Sequence, residues 1–216
     1  MEPADRMLGP RDVVVVEGAD ALTYLHSQVS QDLQGMEVGE RRWTFVLEPT
    51  GKIESLARVT RSGDDRYELD TDAGFGSALL ARIDRFKIRV AADTSLTEAE
   101  GEADPAEERA RIAAGWPRLG IELVPGETIP AGTGLAGIAV SFTKGCYPGQ
   151  ELVERMDSRD AQAPRTLRRV EVGGDARPGD PLVDGDVEVG VLTSVAAPHG
   201  LAWVKRGHEV GEAVAF

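Results

Sequence analysis

The chain has 216 residues, 41% hydrophobic and 28% charged, so it can bury a sizeable core and is neither disordered nor fibrous. Its net charge of −13 argues against nucleic acid or a membrane as the main partner. A single cysteine and three histidines without ligand spacing predict no metal site, and "MEPADRMLGP" has no signal-peptide pattern, so we expect a cytoplasmic protein.

The first half of the chain alternates strand and helix patterns. Val13–Val16 predicts a buried strand, and apolar residues at helical spacing after Asp20 predict a helix of about three turns. The stretch "RRWTFVLEPTGKIESLARVTRSGDDRYELDTD" has the alternation of an antiparallel meander, with its second turn at Ser62–Asp64. A helix in "FGSALLARIDRF" and a strand in "KIRV" follow. This order favours an α+β fold.

The second half begins with an acidic connector, after which Pro105 and Gly115 are typical first and stop residues of a helix. The segment "SRDAQAP" is polar and predicts a linker. From Pro164 to Phe216, short Val-rich strands are punctuated by glycines, which is typical of a small barrel or sandwich. The sequence therefore predicts a separate C-terminal β domain.

The one cysteine, Cys146, lies in "KGCYPGQE", immediately before a predicted helix. A helix N-terminus and Lys144 would both favour the thiolate, which would make the sulfur a good nucleophile or ligand. Alternatively, Cys146 is a core residue, because free cysteine is often buried. The glycines and proline around the thiol favour the first interpretation, since core strands avoid them.

The "KGCYPGQE" stretch matches the pattern K-G-C-[FY]-x-G-Q-E. On these residues the chain resembles the YgfZ family of folate-binding proteins, which are relatives of the glycine-cleavage T-protein, an aminomethyltransferase. The resemblance extends to "GADALTYLHSQVSQDL", "EPTGKI", "RIAAGWPRLGIE" and "VGVLTSVAAPHGLAWVKR". It therefore covers almost the whole chain.

The fold implied by this resemblance is a T-protein-like cloverleaf of three domains around a central channel. Residues 1–47 and 112–163 would form a first α+β domain, into which a second α+β domain of residues 48–111 is interleaved. Residues 164–216 would form a C-terminal β-barrel.

The resemblance implies a tetrahydrofolate-binding accessory protein that supports assembly or repair of iron–sulfur clusters. Cys146 would be its functional thiol, and its partners would be iron–sulfur enzymes or cluster-assembly proteins. The residues expected to bind tetrahydrofolate are Gln31, Asp32, Trp43, Phe45, Lys144, Gly145, Tyr147, Gly149, Gln150 and Glu151.

Two other functions are open at this point. One is a folate-dependent aminomethyl or C1 transferase, but Ser55 and Ala113 stand where T-proteins carry acidic residues. A non-enzymatic accessory role is therefore favoured over an enzyme. The other is a thiol-based interaction module that has kept the fold and lost folate.

Overall fold

The computed structural model describes residues 7–158 and 163–216. Most of the predicted polar linker, residues 159–162, lies outside the described residues. The described part contains two five-stranded sheets and five α-helices. None of these described helices combines the length and the hydropathy needed to cross a membrane.

The first sheet is antiparallel throughout and has the strand order β2-β3-β4-β1-β5. Its strands are β1 Arg11–Glu17, β2 Arg41–Leu47, β3 Ile53–Arg61, β4 Arg66–Asp72 and β5 Asp93–Thr97. Side chains alternate across a strand, so Val14 and Val16 face one side of the sheet together with Leu69. Helices α1 (Ala21–Gln28) and α2 (Gly76–Asp84) pack on this side and complete one hydrophobic core.

The opposite face of the first sheet carries Trp43 and Phe45, which belong to a second core. Segments that come much later in the chain cover it. These are the loop around Trp116, the helix α4 (Ala136–Ala139), Tyr147 and the helix α5 (Gln150–Ser158). The sheet is therefore buried on both faces, and the "KGCYPGQE" stretch lies over its second face.

The helix α3 (Pro105–Ala114) begins and ends as the sequence predicts. The side chain of Asp104 accepts a hydrogen bond from the amide of Ala106, Pro105 is the first helical residue, and Gly115 ends the helix at φ +80°. A 3-10 turn at Pro130–Gly132 follows before α4.

The second sheet has the strand order β10-β6-β9-β8-β7 and is antiparallel. Its strands are β6 Arg165–Glu171, β7 Pro181–Asp184, β8 Val187–Ala196, β9 His199–Lys205 and β10 Glu212–Ala213. The C-terminal region is thus all-β, as predicted. Among the described strands no pairing joins β10 to β7, so the barrel closure is not observed.

Two local predictions were wrong. The segment "KIRV" is not a strand, because residues 85–90 form a turn in which Arg89 has φ +57°, and the strand begins only at Asp93. Helix α1 has two turns instead of three, since Val29 is already extended and pairs with Val46. The division of residues 1–111 into two domains stays a prediction, and the first sheet takes strands from both segments.

Candidate functional site

The stretch Lys144–Glu151, called the signature turn below, is pressed against the turn between β2 and β3. Gly149 has φ +82°, and a Cβ there would lie 2.5 Å from the carbonyl oxygen of Glu48 and 2.9 Å from the Cα of Gly51. Gly51 has φ +86°, and a Cβ there would lie 2.4 Å from the Cβ of Leu152. The two glycines therefore allow the backbones to meet where no larger residue fits.

Lys144 ties the signature turn to the end of α1. Its buried Nζ donates hydrogen bonds to the carbonyl oxygens of His26, Val29 (2.7 Å) and Gln31 (3.0 Å). Burial lowers the pKa of Lys144 to about 8, and the carboxylate of Asp32 offsets part of this shift. An ammonium has three protons, so none is left for the sulfur of Cys146.

Cys146 itself is exposed and free. This excludes the alternative in which the cysteine belongs to the core. Gly145 beside it has no atom within 4 Å of an added Cβ and does not need a left-handed backbone. The thiol thus stands on an open stretch between two fixed points, Lys144 on one side and Tyr147 on the other.

Tyr147 is the apolar anchor of the signature turn. It is 7% exposed and lies in the same core as Trp43 and Phe45, with the ammonium of Lys144 5.3 Å from its ring centroid. Burial raises the pKa of Tyr147 to about 12, and Glu154 adds to the shift. The side chain is therefore a neutral packing residue.

The side chains of Gln150 and Glu151, which are expected to bind tetrahydrofolate, contact other side chains of α5. Gln150 donates to the carboxylate of Glu154 at 2.5 Å, and Arg155 donates to Glu151 at 2.5 Å. Both contacts join residues four apart on the surface of α5. The side chains of these two residues therefore stabilise α5 and make no hydrogen bond to Lys144, Cys146 or Tyr147.

The aromatic residues predicted to line a folate channel are core residues. Trp43 is 2% exposed and Phe45 is fully buried. The ring of Trp43 packs 4.6 Å from that of Trp116, and the guanidinium groups of Arg11 and Arg58 lie 5.7 Å and 5.6 Å from it. Their ring faces are covered by protein.

Gln31 and Asp32 lie close to Lys144, and their side chains form hydrogen bonds with backbone groups. Gln31 donates to the carbonyl of Ile138 at 2.8 Å and accepts from the amide of Asp32 at 2.9 Å. Asp32 accepts from the amide of Gln34 at 2.8 Å. These polar groups therefore shape the loop after α1.

A cavity of about 300 Å³, which the sequence alone does not predict, lies between residues 121–132 and the second sheet and is called the Trp203 cavity below. Its walls are the apolar side chains of Ile121, Val124 and Ile129 and the half-buried indole of Trp203. Glu127 and Arg165 also line it. The sequence signal for the cavity is the pair of apolar residues Ile121 and Val124 in "GIELV". The structure leaves them 39% and 36% exposed.

A buried ion pair fixes one wall of this cavity. The guanidinium of Arg111, 1% exposed, donates to the fully buried carboxylate of Glu122 at 3.0 Å and to Ser194 at 2.7 Å. Ser194 also donates to Glu122 at 2.5 Å, and Trp203 Nε1 donates to the carbonyl of Glu122 at 3.1 Å. This network joins α3 and the loop after it to β8 and β9.

No group of three or more His, Cys, Asp or Glu side chains within residues 7–158 and 163–216 is arranged to hold a metal ion.

Comparison with solved structures shows which fold this chain has. The crystal structure of the glycine cleavage system aminomethyltransferase T from Bartonella henselae matches with a TM-score of 0.79, covering 95% of this chain and 83% of that chain. The chain has an aminomethyltransferase fold. At 16% identity, this likeness concerns the fold alone.

Sequence comparison adds one relative and no family model. An uncharacterised protein of Haemophilus influenzae is 25% identical over 239 aligned positions, which cover 89% of this chain and 84% of that protein. A scan of protein-family models finds no match.

Proposed function

We propose that this chain is a tetrahydrofolate-binding accessory protein that supports assembly or repair of iron–sulfur clusters through Cys146. The observation that carries the proposal is the placement of this thiol. Cys146 is exposed on a turn that Lys144, Tyr147 and Gly149 hold against the body of an aminomethyltransferase fold. So much fixed structure around one accessible sulfur favours a role for the sulfur in contact with a partner.

Two features support folate as the ligand: the fold of the chain and the signature turn. The fold likeness covers 95% of the chain, and the signature turn resembles that of folate-binding relatives. A folate needs an apolar slot for its flat pterin, a few polar anchors, and a cation for its glutamate tail. The buried rings of Trp43 and Phe45 do not offer that slot, whereas the Trp203 cavity has walls of the right chemistry.

The geometry argues against an aminomethyltransferase. Glu54, where T-proteins have the first of two acidic residues, forms an ion pair with Arg82 at 2.5 Å. Ser55, at the second, shares a hydrogen bond with Thr71 at 3.0 Å. Ala113 has no carboxyl group at all. None of the three positions supplies a free carboxylate to assist transfer of an aminomethyl group.

The chemistry left to the chain is that of an accessible thiol. A thiolate is a strong ligand for iron and a good nucleophile toward sulfur. Since Cys146 is the single cysteine, any disulfide it forms, and any further thiolate ligand of a cluster it joins, must come from a partner molecule.

The test uses cells that lack the protein and have low activity of their iron–sulfur enzymes. Cys146→Ser should fold normally, bind tetrahydrofolate as the wild type does, and fail to restore those enzyme activities. Thr143→Ser, a change at a nearby exposed residue, is the matched control and should restore them. Full restoration by Cys146→Ser would overturn the role of the thiol.

Calorimetric titration with tetrahydrofolate separates the proposal from its rival. A thiol-based interaction module would need Cys146 in the cell but would give no binding signal with tetrahydrofolate.

A further inference from the structure

The Trp203 cavity has a rigid planar wall. A Cβ on Gly132 would lie 3.1 Å from the indole ring of Trp203 and 2.4 Å from the carbonyl oxygen of Arg165, so the ring sits directly on this backbone. The indole nitrogen is held by the carbonyl of Glu122. Because Glu122 is fixed in turn by Arg111, the ring needs no rearrangement to receive a flat ligand.

Two opposite charges line the same cavity without partners of their own. The side chains of Glu127 and Arg165 are exposed, and neither makes an ion pair or a side-chain hydrogen bond with any residue that the structure describes. A carboxylate can accept two parallel N–H bonds from a planar N–C–N edge, and a guanidinium can bind a carboxylate in the same two-bonded way. The cavity is thus suited to a flat ring with a donor edge and an acidic tail.

We infer that tetrahydrofolate binds in the Trp203 cavity, with its pterin against Trp203, the amino edge of the pterin on Glu127 and the glutamate tail on Arg165. This inference rests on the proposed function and adds a place and a set of residues to it. The cavity volume of about 300 Å³ is at the lower end for a ligand pocket, so the pterin lies inside and the tail extends over the mouth.

The experiment measures tetrahydrofolate affinity of the full-length protein by calorimetry under anaerobic conditions. Glu127→Gln and Arg165→Gln should each raise the Kd about tenfold or more, since each deletes a charge-assisted bond. Glu102→Gln and Arg89→Gln make the same changes at exposed residues elsewhere and should leave the Kd within about twofold.

Tryptophan fluorescence gives a second readout of place. Of the three tryptophans, Trp43 and Trp116 are 2% exposed, whereas Trp203 is half-buried and lines the cavity. Ligand should therefore quench the emission of the wild type, and Trp203→Phe should lose most of this quenching.

The outcomes distinguish an error in the inferred binding place from an error in the proposed function. If the wild type binds and neither Glu127→Gln nor Arg165→Gln weakens binding, the inferred place is wrong while the proposed function stands. If the wild type gives no calorimetric signal and no quenching, the proposed function is wrong and this inference with it. Weakened binding in both variants together with lost quenching in Trp203→Phe supports the inference.

Discussion

The two glycines of the signature turn, Gly145 and Gly149, test how the turn is built, because they differ in backbone conformation and in the space around them. At Gly149 the left-handed backbone costs an alanine about 1–2 kcal/mol. The added Cβ would also lie 2.5 Å from the carbonyl oxygen of Glu48, a backbone atom that cannot rotate away, and such overpacking costs about 1–3 kcal/mol. Gly149→Ala should therefore destabilise the protein by about 2–5 kcal/mol.

Gly145→Ala is the matched control. No atom lies within 4 Å of the added Cβ and the backbone is not left-handed, so alanine should be neutral or stabilise by up to about 1 kcal/mol. In a chain of 216 residues, each kcal/mol moves the Tm by about 2–4 °C. Calorimetric melting should place Gly149→Ala at least about 4 °C below the wild type and Gly145→Ala at or above it. Equal Tm values for the two variants would refute this account of the turn.

Three further predictions concern single side chains. Arg111→Met leaves the buried carboxylate of Glu122 without its cation and should lower the free energy of unfolding in urea by about 3–5 kcal/mol; a loss below about 1 kcal/mol would contradict the network. Lys144 has a folded-state pKa of about 8, below its unfolded value, so the unfolded chain binds more protons above pH 8 and stability rises with pH. From pH 8 to 9.5 the wild type should gain about 1.5 kcal/mol relative to Lys144→Met, because the tyrosines that begin to titrate in this range are present in both proteins, and a flat difference would contradict the shift. Exposed Cys146 should react with iodoacetamide in the native protein at a rate close to that in urea, and protection until unfolding would exclude its proposed role.

Local signals in the sequence predicted much of the fold. Helix α3 begins at Pro105 and ends before Gly115 as expected, and the turn at Ser62–Asp64 joins β3 to β4. Strand β5 was missed because pairing is non-local: nothing within "KIRV" or "DTSLT" tells which of them pairs with β1. Which of the two segments forms the strand depends on the left-handed turn at Arg89, and arginine does not favour that conformation.

The candidate site could be predicted only where one short stretch determines it. The residues of "KGCYPGQE" predicted the turn and the helix after it. It could not show that Lys144 is occupied by three carbonyls or that Trp43 is in the core, because those contacts come from distant segments. The Trp203 cavity is the extreme case, since residues near 125, 165 and 203 meet there.

The most direct test of the central claim is calorimetric titration of the full-length protein with tetrahydrofolate, paired with its Tm at saturation. The account predicts one saturable site and a higher Tm, because a ligand that binds only the native state must stabilise it. No heat of binding and an unchanged Tm at millimolar tetrahydrofolate would contradict it.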